Sequence, residues 1–173
     1  IVFSHGGGCP KDMYLRLSDH WASHGYVVIL PVHADSRSLG LSFAGMDPRK
    51  MGQLVYNRRY DMQHVLNSLV NIEAQVPELV GQLDHNRLIA AGHSMGGATA
   101  MAVSGLVLHD SSTQWVDQFT EDRFDVLLLV GDPGNRDFMP EAPWRTISIP
   151  TLIIPGLQLF ILCQLFLLLL VHS

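Results

Sequence analysis

The stretch Gly92-His93-Ser94-Met95-Gly96 restricts the fold more than any other, because of what stands on either side of it. Before it runs "RLIAAG" (87–92), a small-residue strand pattern, and from Gly96 onward "GGATAMAVSGLVL" (96–108) reads as an Ala-rich helix. A serine between a strand and a helix, with glycine two residues before and two after, predicts a sharp turn that lifts the hydroxyl clear of the backbone. Gly92 and Gly96 relieve the crowding that a strained serine backbone creates, and Gly97 is expected to let the helix pack close to a sheet. The helix N-terminus favours negative charge developing at the same place. A G-x-S-x-G alone could be only a glycine-rich turn; the flanking strand and helix favour a nucleophile at Ser94.

The rest of the chain fits the α/β class that such a turn demands. Short apolar runs alternate with longer helical patterns, as in βαβ units with a mostly parallel sheet. "IVF" (1–3) reads as a strand opening into a glycine turn. Tyr14, Leu17 and Trp21 recur at helical spacing, with Gly25 as C-terminal cap. "YVVIL" (26–30) predicts a strand buried on both faces. Residues 33–46 read as a loop, and Asp47-Pro48 as the start of a long helix whose apolar face is Met62, Val65, Leu66, Leu69 and Ile72, ended by Pro77. "DVLLLVG" (125–131) and "IPTLII" (149–154) predict two further strands.

Composition limits the partners. A 173-residue chain with 47% hydrophobic and 16% charged residues can bury a real core. Its net charge of -5, with 11 scattered Lys and Arg, leaves no footprint for nucleic acid or an anionic membrane surface. A small or neutral ligand fits better. Cys9 and Cys163 form no disulfide framework or metal motif, so the compartment, cytoplasmic or secreted, stays open, as does the oligomeric state. No signal-peptide pattern is visible. The chain begins inside a strand-like run, and its last residues, "LQLFILCQLFLLLLV" (157–171), are shorter than the about 20 needed to cross a bilayer. We therefore expect a partial domain over 1–156, truncated at both ends, and an anomalous apolar tail over 157–173; membrane association through that tail is the lesser alternative.

A second motif bears on chemistry. Acyl transfer needs N–H donors aimed at the oxyanion, and "SHGGG" (4–8) closes the first strand with a backbone open enough to supply one. The Gly7 N–H can meet that of Met95 if the two strands are neighbours.

The blocks "IVFSHGGG", "WASHGYVVILPVHADS" and "LDHNRLIAAGHSMGGATA" resemble those of α/β-hydrolase serine esterases, nearest the branch holding platelet-activating-factor acetylhydrolases, dienelactone-hydrolase-like proteins and polyester hydrolases. The similarity covers most of residues 1–155. It implies an α/β-hydrolase fold, here incomplete, with a mostly parallel sheet and helices on both faces. It also implies Ser94 as nucleophile, Gly7 and Met95 as oxyanion donors, an ester substrate and no cofactor. In that family the acid and histidine follow the nucleophile. The sequence departs there: the turn after "IPTLII" reads Gly156-Leu157-Gln158-Leu159, without a carboxylate. Asp132 in "LLLVGDPGN" stands where the acetylhydrolase branch carries its acid, although D-P-G is also a plain turn; Asp137 is weaker. Only His109 and His172 follow Ser94. His109 is expected at the end of the helix after the elbow, and His172 lies beyond the apolar run with no turn to present it, so the catalytic histidine is expected to be missing and ester hydrolysis, the parent activity, to be slow or absent in this chain.

Two rival readings stand beside this one. His5, His33 and His93 all fall at predicted strand ends, which suggests a metal site, but no carboxylate stands at ligand spacing and the esterase motifs already account for them; "DPGNRD" lacks the ligands of a calcium loop. A non-catalytic relative that binds a ligand or partner through the same pocket is the alternative to an ester hydrolase. Residues 33–46 and 110–122, with Phe43, Met46, Trp115 and Phe119, are expected to line the pocket.

Overall fold

The structure, a computed structural model, describes residues 1–40, 47, 50–110, 115–131, 133–134 and 136–155. Four strands form a parallel sheet: β1 (Val2–Ser4), β2 (Leu88–His93), β5 (Phe124–Val130) and β6 (Thr151–Ile154), in the order β1-β2-β5-β6. All four lie within a residue or two of the spans their apolar runs predicted. The register pairs Ser4 with Gly92, His93 with Val130 and Val130 with Ile154, so the loops after all four strands leave from one edge. In open α/β sheets that carboxyl edge is where ligands bind.

Side-chain alternation along these strands divides the core in two. Val2, Ala90, Leu127 and Leu129 face α2 (Met51–Asn67) and α4 (Met95–Val103), whereas Phe3, Ala91, Leu128 and Val130 face the other side. There Phe3 packs its ring against Tyr14, 4.8 Å between centroids, and against Trp21 of α1 (Leu15–Ser23), 5.7 Å away. Helices thus cover both faces of the sheet.

Four expectations need correction. "YVVIL" forms one parallel bridge, Val2 to Ile29, rather than a strand buried on both faces. Among the described residues it lies at the sheet's edge, with β1 its one neighbour, and Val27–Leu30 are half-exposed. The long helix is interrupted at Ser68, continuing as α3 (Leu69–Gln75); α2 takes Lys50 as its N-cap, while Pro48 lies outside the described residues. The Ala-rich helix stops at Val103, because Gly105 takes φ 102, a value no right-handed helix holds. The chain instead turns into β3 (Ser104–Asp110), which pairs antiparallel with β4 (Trp115–Thr120).

That hairpin is the fourth correction, since 110–122 was expected along the pocket. Trp115 packs edge-on against Tyr56 of α2, 5.1 Å between centroids, and Phe119 lies against the Arg59 guanidinium, 4.9 Å away. Both aromatic rings therefore serve the junction between the hairpin and α2. Phe43 and Met46 lie outside the described residues.

Candidate active site

Ser94 joins β2 to α4 in a single residue. Its φ of 52 and ψ of -116 make it the one non-glycine with positive φ among the described residues. These angles belong to the first central position of a type II′ turn, a glycine conformation that costs a side-chain-bearing residue about 1–3 kcal/mol. The surroundings hold it there. The Ser94 N–H donates to the Gly131 carbonyl at 3.4 Å, and its own carbonyl accepts the first helical bond from Ala98 at 3.1 Å. Ser94 Oγ makes no hydrogen bond within the described residues.

The flanking glycines permit this by close approach. A Cβ on Gly96 would overlap the Ser4 carbonyl oxygen and come within 2.6 Å of that of His5; one on Gly92 would overlap the Gly96 carbonyl. The start of α4 is thereby pressed onto the end of β1. Gly97 is not part of this contact: a Cβ there would sit 3.4 Å from Pro133 Cδ and 3.6 Å from Leu129, ordinary packing distances. Its expected role in helix–sheet approach belongs to Gly96.

Gly7, Ser94 and Met95 line one cavity of about 190 Å³, together with Met51, Ala98, Pro133, Arg136 and Phe138. The glycine turn after β1 and the elbow after β2 therefore meet, as neighbouring parallel strands require. Within Gly6–Cys9, the N–H of Gly6 donates to Tyr14 Oη (2.9 Å), that of Gly8 to Asp35 Oδ2 (3.0 Å) and that of Cys9 to the Gly6 carbonyl (3.0 Å). The Gly7 N–H has no partner among the described residues. Neither does that of Met95, in the first turn of α4, where helical N–H groups are left open.

Among the described residues no carboxylate or imidazole bonds Ser94. Asp132 and His172 lie outside the described residues. Asp137 is exposed in the loop after β5. His109 sits in β3 rather than at a helix end: its N–H donates to the Phe138 carbonyl and its Nε2 to that of Met139 at 2.5 Å, fixing the segment that forms the cavity wall. His93 is turned from the serine toward Tyr14, whose hydroxyl lies 2.9 Å from Nδ1; burial keeps this imidazole below its usual pKa.

Behind the glycine turn lies a buried polar cluster that sequence inspection missed. Arg58 of α2, 2% exposed, grips Asp35 through Nε (2.9 Å) and Nη2 (2.6 Å). Burial pushes the Asp35 carboxyl up, but Arg58 and the Gly8 N–H outweigh it and hold it below the usual range. His33 links Ser4 Oγ at Nε2 (2.8 Å) to Asp61 Oδ2 at Nδ1 (2.7 Å). That chain has the connectivity of a catalytic Ser-His-Asp set, yet Ser4 and His33 are fully buried, so it ties β1 to α2. Burial lowers the pKa of His33 despite Asp61, and lowers that of His5 to about 4. His5 and His33 pack against each other, ring centroids 4.8 Å apart with the His33 N–H donating to His5 Nε2 at 3.2 Å, while His93 turns to Tyr14; no cluster of His, Cys, Asp or Glu suited to a metal occurs among the described residues. The only advance signal for the Arg58 cluster was a basic pair, Arg58-Arg59, within an amphipathic helix.

The sheet, the elbow and the glycine turn describe an α/β hydrolase, and residues 1–160 match the alpha/beta hydrolase family; the chain belongs to that family. Among curated proteins it is similar to the platelet-activating factor acetylhydrolase of Cavia porcellus, 24% identical over 132 residues, and to that of Canis lupus familiaris, 26% over 135. Each match covers 58% of this chain and 30% of the relative.

Proposed function

We propose that the protein is a carboxylic ester hydrolase working through an acyl-enzyme on Ser94. The observation that carries this reading is the meeting at one cavity of the hydroxyl of a strained serine and two N–H groups, none of them with a hydrogen-bond partner among the described residues. Ser94 Oγ attacks the acyl carbon, and the Gly7 and Met95 N–H groups take the negative charge of the tetrahedral oxygen. The alcohol leaves, and water releases the acyl group from the serine. Asp132 is the acid that orients the histidine taking the Ser94 proton; of the described histidines, none bonds Ser94. Met51, Met95, Ala98 and Phe138 give the cavity apolar walls, and its size suits a short acyl group, in keeping with relatives named as acetylhydrolases. No cofactor enters the reaction.

The absence of a histidine on Ser94 among the described residues is what favours the second reading, a non-catalytic binding protein of the same fold. Hydrolysis of p-nitrophenyl acetate separates the two. The ester hydrolase predicts turnover that falls by about a thousandfold or more in Ser94→Ala. Equal rates in both proteins reject the serine mechanism, and binding of the ester without turnover selects the second reading.

A further inference from the structure

The peptide unit between Gly6 and Gly7 carries both the Gly6 carbonyl and the Gly7 N–H, and in a trans peptide these point in opposite directions. Holding one aims the other. The Gly6 carbonyl accepts from Cys9 N–H at 3.0 Å, His5 Nδ1 at 2.7 Å and Arg58 Nη2 at 3.4 Å, so the Gly7 N–H of the same peptide points away from these three donors, and Gly7 lines the cavity. Arg58 Nη1 also donates to the preceding carbonyl, His5, at 2.6 Å. Asp35 completes the clamp: one carboxylate grips Arg58 and receives the Gly8 N–H. Three successive peptide groups are thereby pinned by one ion pair.

Stability alone is a weak reason to keep such a pair. Burying two charges costs several kcal/mol of desolvation, and well-packed apolar residues of similar size often do as well. What apolar residues cannot do is fix the plane of a peptide. The planar guanidinium fork does so because its donors diverge at set angles, which a lysine ammonium cannot reproduce.

We infer that Arg58, held by Asp35, is a positioning residue that aims the Gly7 N–H at the oxyanion. This rests on the reading of Ser94 as the nucleophile. A thionoester tests it, because replacing the carbonyl oxygen by sulfur weakens the hydrogen bonds that the N–H donors make to the developing anion. In the full chain, Arg58→Lys is expected to lower kcat for p-nitrophenyl acetate by about tenfold to a hundredfold with KM nearly unchanged, short of the 10²–10³ lost with a whole donor. The oxygen-over-sulfur rate ratio falls with it. The double variant Asp35→Leu/Arg58→Met removes the clamp without stranding a buried charge, and is expected to stay folded while showing the same loss of ratio. A folded variant of either kind that keeps both the wild-type rate and the wild-type ratio overturns the positioning role while leaving Ser94 in place. Esterolysis that survives Ser94→Ala overturns the underlying reading, and this inference with it.

Discussion

At residue scale the elbow depends on what cannot be present. Gly92 and Gly96 sit where any Cβ meets backbone atoms that have nowhere to go, so Gly96→Ala must separate α4 from β1 or abandon the Ser94 conformation. Thermal and urea unfolding should show a loss of about 1–3 kcal/mol or more, as for other overpacked sites. Gly97→Ala is the control. Its Cβ finds ordinary contacts and a helical position that prefers alanine by up to about 1 kcal/mol, so stability should hold or rise. Equal damage from both substitutions would contradict this assignment of the close approach. The sequence spelled out the elbow because glycine spacing is a local signal, but it did not say which glycine carried the contact. That depended on where β1 ended.

At the scale of elements, the parallel strands were legible as apolar runs, and the hairpin was not. Only Ser104-Gly105 separates Leu106–Leu108 from the helix, too short an interruption to end an apolar helical pattern; the φ at Gly105 decides otherwise. Arg59 then fastens the hairpin to α2, pairing with Asp117 while its guanidinium lies over Tyr56 at 4.4 Å and Phe119 at 4.9 Å. Arg59 is 4% exposed, so removing its partner strands a buried charge. Asp117→Ala should cost about 1–3 kcal/mol in denaturant unfolding, reduced from a fully buried pair because Asp117 is 29% exposed. Arg87→Ala, which breaks the exposed Arg87–Asp84 pair, should cost less than about 0.5 kcal/mol. Similar losses for the two would show that Arg59 does not anchor the hairpin.

At the scale of the whole molecule, the sequence motifs and the family match converge on one sheet edge, where the cavity opens. The polar cluster beneath it escaped sequence reading because its members are spread over three segments, Ser4–His5, His33–Asp35 and Arg58–Asp61, and meet only through the sheet. It gives the fold a pH signature. Unfolded histidines take up a proton as pH falls through about 6.5, whereas His5 does so in the fold only near about 4, and His33 and His93 are lowered as well. The unfolded chain therefore binds more protons in this window, and stability falls with pH, by at most about 1.4 kcal/mol per unit for each histidine. Urea midpoints at pH 7.5 and pH 5 should differ in that direction; a midpoint that rises on acidification would contradict the buried neutral assignment. Among the described residues no helix is long and apolar enough to cross a membrane, and the apolar tail lies outside them.

The central claim is that the hydroxyl held at position 94 is a nucleophile. Treating the purified chain with a fluorophosphonate and locating the adduct by peptide mass spectrometry tests it most directly. A single phosphonylated residue, Ser94, with no labelling of Ser94→Ala, is the predicted result. Undiminished labelling of Ser94→Ala, or an adduct confined to another residue, would contradict it.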